Sequence, residues 1–279
     1  MKQDAMHDET RPSHWEQHAL NWRHVGLPLR PAGQDVRIME SLLAVHLDQA
    51  ARVLLLGVTP ELARLRWPDR THLLAVDRSA GMIQRVWPGD ALALDAQVIR
   101  GDWNALPLSD GCRDAVIGDG FYTPLAYPSD YHRLGRELAR VLRPGGLYLI
   151  RAFVRPDAAE SLEVIEADLL AGRIGTVHAL KWRLAMLLHD DLATGVRLDT
   201  VWRLWDALRA QPAVADRLRQ WPAEEVATLE AYRGEPGRYT FPTLTELRAA
   251  LAPDFTELDC RVPDYELGDR CPILLLKTR

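Results

Sequence analysis

The chain has 279 residues, 47% of them apolar, and a formal net charge of −5, which suits one α/β domain or an α/β core with an inserted subdomain. No run of 18 apolar residues, no basic-then-apolar start and no Lys/Arg block occurs, so neither a membrane span, a secretory signal nor a nucleic-acid footprint is expected. Three widely spaced cysteines, Cys112, Cys260 and Cys271, argue against a disulfide framework and for a reducing, cytoplasmic setting.

Residues 1–12 read as a polar, mobile tail. The tail and a lid segment together make a first unit, 1–34. Val36, Met39, Leu42 and Leu43 fall at helical spacing and predict a helix over Asp35–Leu47. From Arg52 short apolar runs alternate with helical patterns. The runs are Arg52–Leu56, His72–Val76, Gln97–Arg100, Ala115–Gly118 and Leu147–Phe153. The helices are Pro60–Arg66, Ser79–Val86 and Tyr131–Leu142. Such alternation predicts a mostly parallel sheet with helices on both faces. Asp157 to about Arg238 reads as helical throughout, with no strand. Leu244–Leu251 is another core helix, and Phe255–Val262 and Pro272–Lys277 are two last strands. Their connection is too short for a crossover helix, so they should be antiparallel. The expected division is 1–34, a core of 35–156 with 239–279, and a helical insertion at 157–238.

In a sheet of this kind ligands bind beyond the carboxyl ends of the strands. Gly57 ends the first run, and Val58, Thr59 and Pro60 lead into a helix whose first N–H groups would face a ligand. Asp77 ends the second run, twenty residues beyond Gly57. It can accept hydrogen bonds from two ribose hydroxyls, or it can serve the helix that starts at Ser79. Gly101, Asp102 and Trp103 end the third run. Asp102 can accept from an adenine amino group or act as a turn residue, and Trp103 or Met82 can cover a ring face. A nicotinamide cofactor would share Asp77 but calls for G-x-G-x-x-G, which is missing. His14 and His18 lie four residues apart without the Glu of H-E-x-x-H, so no metal site is expected and a polar lid face is the plain reading.

The order LLGVTPELA (55–63), LLAVDRSAGMI (73–83), IRGDWNALPLSDGCRDAVIGDG (99–120) and LARVLRPGGLYLI (138–150) resembles the class I S-adenosylmethionine-dependent methyltransferases. The resemblance covers about residues 50–155. It implies a doubly wound α/β fold with a seven-stranded sheet whose last strand is antiparallel. It also implies S-adenosyl-L-methionine as cofactor, with Asp77 on the ribose and Asp102 on the adenine. The first motif departs from the family. Leu55 stands in the acidic position, and Val58, Thr59 and Pro60 replace the later glycines. The methionine end of the cofactor then needs another holder. Trp22 and Arg30, in a stiff proline-framed segment, are the candidates, with the guanidinium pairing to the carboxylate.

Candidate cofactor contacts are therefore Trp22, Arg30, Gly57, Thr59, Asp77, Arg78, Met82, Gly101, Asp102, Trp103, Asp119 and Gly120. If the methyl acceptor must lose a proton, Asp119, Tyr122 and His132 are the nearest candidate bases. Residues 157–235 hold nine basic and fourteen acidic side chains. That balance disfavours nucleic acid and suggests a small, neutral or cationic, partly apolar acceptor. The alternative is a non-catalytic cofactor- or partner-binding module on the same fold.

Overall fold

The computed structural model describes residues 14–92 and 94–279. The tail expected over residues 1–12 lies outside them. Among the described residues a seven-stranded sheet runs in the order β3-β2-β1-β4-β5-β9-β8. Its strands are β1 (Arg52–Leu56), β2 (His72–Asp77), β3 (Asp95–Arg100), β4 (Arg113–Asp119), β5 (Leu142–Arg151), β8 (Phe255–Arg261) and β9 (Ile273–Thr278). The first five are parallel, and β9 runs antiparallel to both β5 and β8. The order reverses between β1 and β4, which makes the carboxyl end of β1 the switch point where such sheets bind ligands.

Alternation along the strands sends side chains to two covered faces. Leu54 and Leu56 pack with Val116, Tyr148 and Ile150 against α5 (Ser129–Val141) and α11 (Leu244–Leu251). Val53 and Leu55 pack with Leu73, Ala75 and Ile117 against α2 (Gly33–His46), α3 (Pro60–Ala63) and α4 (Ala80–Val86). Two-sided burial explains why β1 reads as a continuous apolar run. Pro60 at the first position of α3 and a capping box of Thr243 with Glu246 on α11 fix where those helices begin. Strand β5 starts earlier than the apolar pattern suggests, because Leu142 pairs with Arg113 before a register shift that takes in Pro144, Gly145 and Gly146. Gly145 there has φ +73°.

Between β5 and α11 lie α6 (Leu162–Leu170), α7 (Val177–Leu187), α8 (Leu198–Arg209), α9 (Pro212–Leu218) and α10 (Ala223–Ala227). They share a core of their own around Ile165, Leu180, Val201, Trp205 and Leu229. Trp205 is fully buried there, and Trp202 packs at its edge. The region is not helical throughout. Val196–Arg197 (β6) and Arg238–Tyr239 (β7) pair antiparallel and tie the start of α8 to the chain that leaves the helices. An N-terminal helix, α1 (His14–Leu20), lies against α4, close enough that a side chain at Gly81 would meet Glu16.

One side chain joins these parts. Arg151, the last residue of β5, is fully buried. Its Nε and Nη2 donate to the two carboxylate oxygens of Asp119 at the end of β4, at 2.6 and 3.1 Å. Its Nη1 donates to the Pro28 carbonyl at 2.9 Å and to the Tyr265 hydroxyl at 3.2 Å, and lies 3.4 Å from Asp35 in the first turn of α2. Burial opposes the charge on Arg151, yet the carboxylate of Asp119 outweighs it and holds the guanidinium protonated. Arg151→Met would leave two buried carboxylates facing an apolar side chain. The expected cost is about 3–5 kcal/mol of unfolding free energy, read from urea denaturation. A loss below about 1 kcal/mol would show that the network carries little stability.

Candidate functional site

A cavity, partly open to solvent, lies at the carboxyl ends of β1, β2 and β4. Its floor is Leu56, Gly57, Val58 and Thr59, with Asp77 and Met82 to one side. Trp103, Gly120, Phe121 and Phe153 continue the wall. Trp15 and His18 of α1 and Trp22 just after it form the roof, and Lys181, Trp182, Tyr232 and Tyr239 close the end contributed by the helical region.

Gly57 leaves β1 with φ +87°, a backbone conformation that favours glycine, and has only the Asp77 carboxylate near where a Cβ would stand. Asp77 Oδ1 accepts from the Ser79 N–H at 2.8 Å, and the carboxylate lines the cavity. The cap of α4 is Ser79 itself, whose hydroxyl accepts from Met82 N–H, so Asp77 is not spent on capping. Burial raises the proton affinity of Asp77, opposed by the Ser79 N–H bond. Trp103 is pinned by an Nε1 bond to the Val76 carbonyl at 2.7 Å and meets Phe121 edge-on at 5.8 Å. Gly120 has φ +62°, and a Cβ there would stand 2.3 Å from the Phe153 ring.

Of the expected cofactor contacts, Trp22, Gly57, Thr59, Asp77, Met82, Trp103, Asp119 and Gly120 line this one cavity. Arg30, Arg78, Gly101 and Asp102 do not. Arg30 sits in a turn closed by the Gly26 carbonyl rather than in an extended segment. Its guanidinium pairs with Glu61 and stacks over Trp22 at 5.0 Å. Asp102 is exposed, and its Oδ1 accepts from Asn104 N–H in a local turn. Gly101 donates to the Asp77 carbonyl, and the Arg78 carbonyl accepts from Arg100.

The three candidate bases are dispersed. Asp119 lines the cavity, but both of its oxygens are held by Arg151. Burial raises its proton affinity and the pairing with Arg151 opposes that. Tyr122 is buried beneath the cavity wall, accepts from the Tyr148 hydroxyl at 3.2 Å, and burial makes its phenol harder to ionise. His132 is exposed on α5 beside Tyr127 and does not line the cavity.

Sequence reasoning missed Lys181, Arg151, Tyr232 and Tyr239. The histidine face of α1, expected as a polar lid face, turns onto the cavity and its neighbours. His14 Nε2 lies 2.8 Å from the Tyr239 hydroxyl, and His18 is on the cavity wall. Burial, then the nearby Lys181, pushes His14 down to about 4 and His18 well below the ordinary histidine range. His178, bonded through Nε2 to the His24 carbonyl, is pushed down to about 3 for the same reasons. All three are neutral near pH 7. The indole nitrogens of Trp22 and Trp182, both of which line the cavity, are buried with no partner among the described residues. Among the described residues no group of three His, Cys, Asp or Glu side chains could hold a metal ion, and no helix is long and apolar enough to cross a membrane.

Residues 56–150 match the family model described as a methyltransferase domain. No curated protein matches the chain in sequence. Solved structures share the fold. A protein from Rhodobacter sphaeroides described as a putative zinc-dependent alcohol dehydrogenase aligns at 15% identity over 94% of this chain and 98% of its own, with a TM-score of 0.55. An S-adenosylmethionine-dependent methyltransferase from Aquifex aeolicus aligns at 13% identity over 96% and 100%, with a TM-score of 0.52. The N-methyltransferase NodS from Bradyrhizobium japonicum, in complex with S-adenosyl-L-homocysteine, aligns at 11% identity over 94% and 98%, also at 0.52. The fold is thus the Rossmann-like fold of methyltransferases, with the antiparallel strand β9 inserted beside β5.

The buried histidines fix a pH dependence. A histidine whose pKa is depressed by folding takes up its proton only on unfolding, so its contribution to stability is full above about pH 6.5 and is lost progressively toward the folded value. For His178 that window runs from about 6.5 down to about 3. His178→Gln, which can still donate to the His24 carbonyl, should remove about 2 kcal/mol of the destabilisation that the wild type suffers between pH 7 and pH 5. Urea unfolding at the two pH values checks this, and equal losses in both proteins would show that His178 is not buried as the neutral form.

Proposed function

We propose that the protein binds S-adenosyl-L-methionine in this cavity and transfers its methyl group to a small-molecule acceptor. The observation that carries the reading is the Asp77 carboxylate, which lines the cavity at the end of β2 beside a glycine turn. Ribose hydroxyls are donors that suit it. The match of residues 56–150 to a methyltransferase domain supports the same reading.

In this reading the adenine lies between Met82 and Trp103, and the exposed Asp102 accepts from its amino group at the rim. The methionine end meets the Trp22 ring and the Thr59 segment, while Arg30, committed to Glu61, holds Trp22 in place through its stacked guanidinium. Bound there, the cofactor supplies an electrophilic methyl group. The chain itself supplies alignment and a cavity roofed against water by α1. Residues 157–238 form the cap over the acceptor end, with α7 reaching the cavity. Asp119 then serves as a structural anchor under the cofactor rather than as a base.

Two measurements test the proposal. Calorimetry should show S-adenosyl-L-homocysteine binding that weakens tenfold or more in Asp77→Ala, since a charged acceptor of two hydroxyls is worth about 1.5–3 kcal/mol or more. Equal affinity in both proteins would end the ribose assignment. Release of S-adenosyl-L-homocysteine during turnover separates an enzyme from a binding module, since both would bind the cofactor.

A further inference from the structure

Among the described residues, Lys181 is the one group at the capped end of the cavity whose charge the fold leaves unanswered. It lies in the second turn of α7, where every residue from Val177 to Met186 is buried. Its relative exposure is 2%, and it lines the cavity. No hydrogen bond or ion pair to its ammonium is found among the described residues. Its neighbours are aromatic faces, with the Tyr232 ring centroid at 4.8 Å and the Trp182 centroid at 5.8 Å. Two residues further along the same helix, Arg183 is treated differently, with Glu160 and Asp168 both at hydrogen-bond distance. A buried cation given no carboxylate is costly, and the cost is recovered only when something else brings the negative charge.

We infer that Lys181 is the anchoring cation of the acceptor subsite, and that this subsite takes a small aromatic carboxylic acid as its anion. The inference rests on the proposed methyltransferase function for the word acceptor, but the anion site stands on the geometry of the cavity. The walls around the ammonium are Phe153, Trp182, Tyr232 and Tyr239, with ring centroids of Trp182 5.2 Å from Phe153 and 5.8 Å from Tyr239. An aromatic ring packs edge or face against such walls, and its carboxylate then reaches the ammonium. The expectation of a neutral or cationic acceptor came from the segment's net charge. It gives way here because the acidic side chains of the segment pair with arginines away from the cavity, as Glu160 does with Arg183 and Arg270.

The groups facing Lys181 do not compete for that role. His14 and His18 from α1 and His178 from α7 are held neutral, and burial keeps Tyr232 and Tyr239 protonated. Burial pushes Lys181 itself down to about 7. An anion that binds the ammonium raises it again, so anion affinity must fall as the pH passes above 7.

The test uses the full chain and three probes of one shape: benzoate, benzamide and benzylammonium. Binding is followed by calorimetry and by fluorescence of the cavity tryptophans, with and without S-adenosyl-L-homocysteine. Wild type should bind benzoate at least tenfold more tightly than either other probe at pH 6, and that preference should shrink severalfold by pH 8.5. In Lys181→Met, which keeps the apolar stem, the preference should vanish and the pH dependence with it, while S-adenosyl-L-homocysteine affinity stays within about threefold. Wild type that ignores benzoate, or binds benzamide equally well, overturns the inference. So does a Lys181→Met protein that loses S-adenosyl-L-homocysteine but keeps 5′-methylthioadenosine, because the ammonium would then serve the cofactor's carboxylate. If Lys181→Met fails to fold, the wild-type probe ranking and its pH dependence decide alone. Benzoate binding without any S-adenosyl-L-homocysteine binding would refute the methyltransferase reading and leave the anion site standing.

Discussion

The buried guanidinium of Arg151 ties the ends of two paired strands to three loop and helix segments at the carboxyl edge of the sheet. It grips Asp119 bidentately, holds the Pro28 carbonyl, and reaches Tyr265 and Asp35, whose carboxylate also accepts from Ala32 N–H at the start of α2. Five separate segments are thereby registered at the carboxyl edge of the sheet. The arrangement suits arginine rather than lysine, because a planar fork with five donors can satisfy four partners at once. Its consequence is local geometry. With β4 and β5 locked at their ends, Gly120 turns tightly enough for the Phe153 ring to occupy the space that a Cβ would take, and that ring becomes a wall of the cavity.

The cavity therefore sits where three packed bodies meet. Two are the opposite faces of the sheet, and the third is the core of α6 to α10, to which Phe153 and Trp182 both belong. Thr240 stitches the third body to the others, since its hydroxyl meets the Tyr131 hydroxyl and the Leu125 carbonyl, and its N–H donates to the Thr123 carbonyl. A site at such a junction can be divided in labour. Sheet ends, which are rigid, present glycine turns and Asp77. Helices, which tolerate variation in side chain, present the aromatic end.

How much of this was legible in the sequence follows from how local each cause is. The strand β1 and the helix α11 have the bounds that their apolar patterns indicate, because two-sided burial and a capping box are written in adjacent residues. Asp77 was legible for the same reason, as a polar residue ending an apolar run before a helix. Arg151 was not, since the carboxylates that permit its burial are 116 and 32 positions away and a charge at a strand end ordinarily meets solvent. Lys181 was hidden differently. Nothing adjacent in sequence marks it, because α7 is enclosed on all sides and His178, Lys181 and Arg183 each meet their own buried environment. The strands β6 and β7, with two residues each, are too short to show any period. The inward turn of His14 depends on Tyr239, 225 positions away.

Net charge misled for a physical reason as well. An excess of carboxylates over a segment sets the field felt by an approaching polyion, several ångströms out in water. It does not set the field inside a cavity, where charges buried in low dielectric dominate and solvated pairs on the outside are screened. Within the cavity the Asp119–Arg151 pair is close to neutral as a unit, and the histidines are uncharged. Among the described residues two groups are left to define the interior, the Asp77 carboxylate beside the glycine turn of β1 and the Lys181 ammonium among the aromatic rings. They come from different bodies of the fold, one from the sheet and one from the helices. The cavity is thus polarised along its length, with a hydrogen-bond acceptor at the sheet end and a donor cation at the helical end. A polarised, largely apolar cavity discriminates by requiring two complementary ends at once. A ligand, or a pair of ligands, that offers hydroxyl donors at one end and an anion at the other satisfies both charges. A ligand that offers only one leaves the other buried and unpaired, which is the more expensive error.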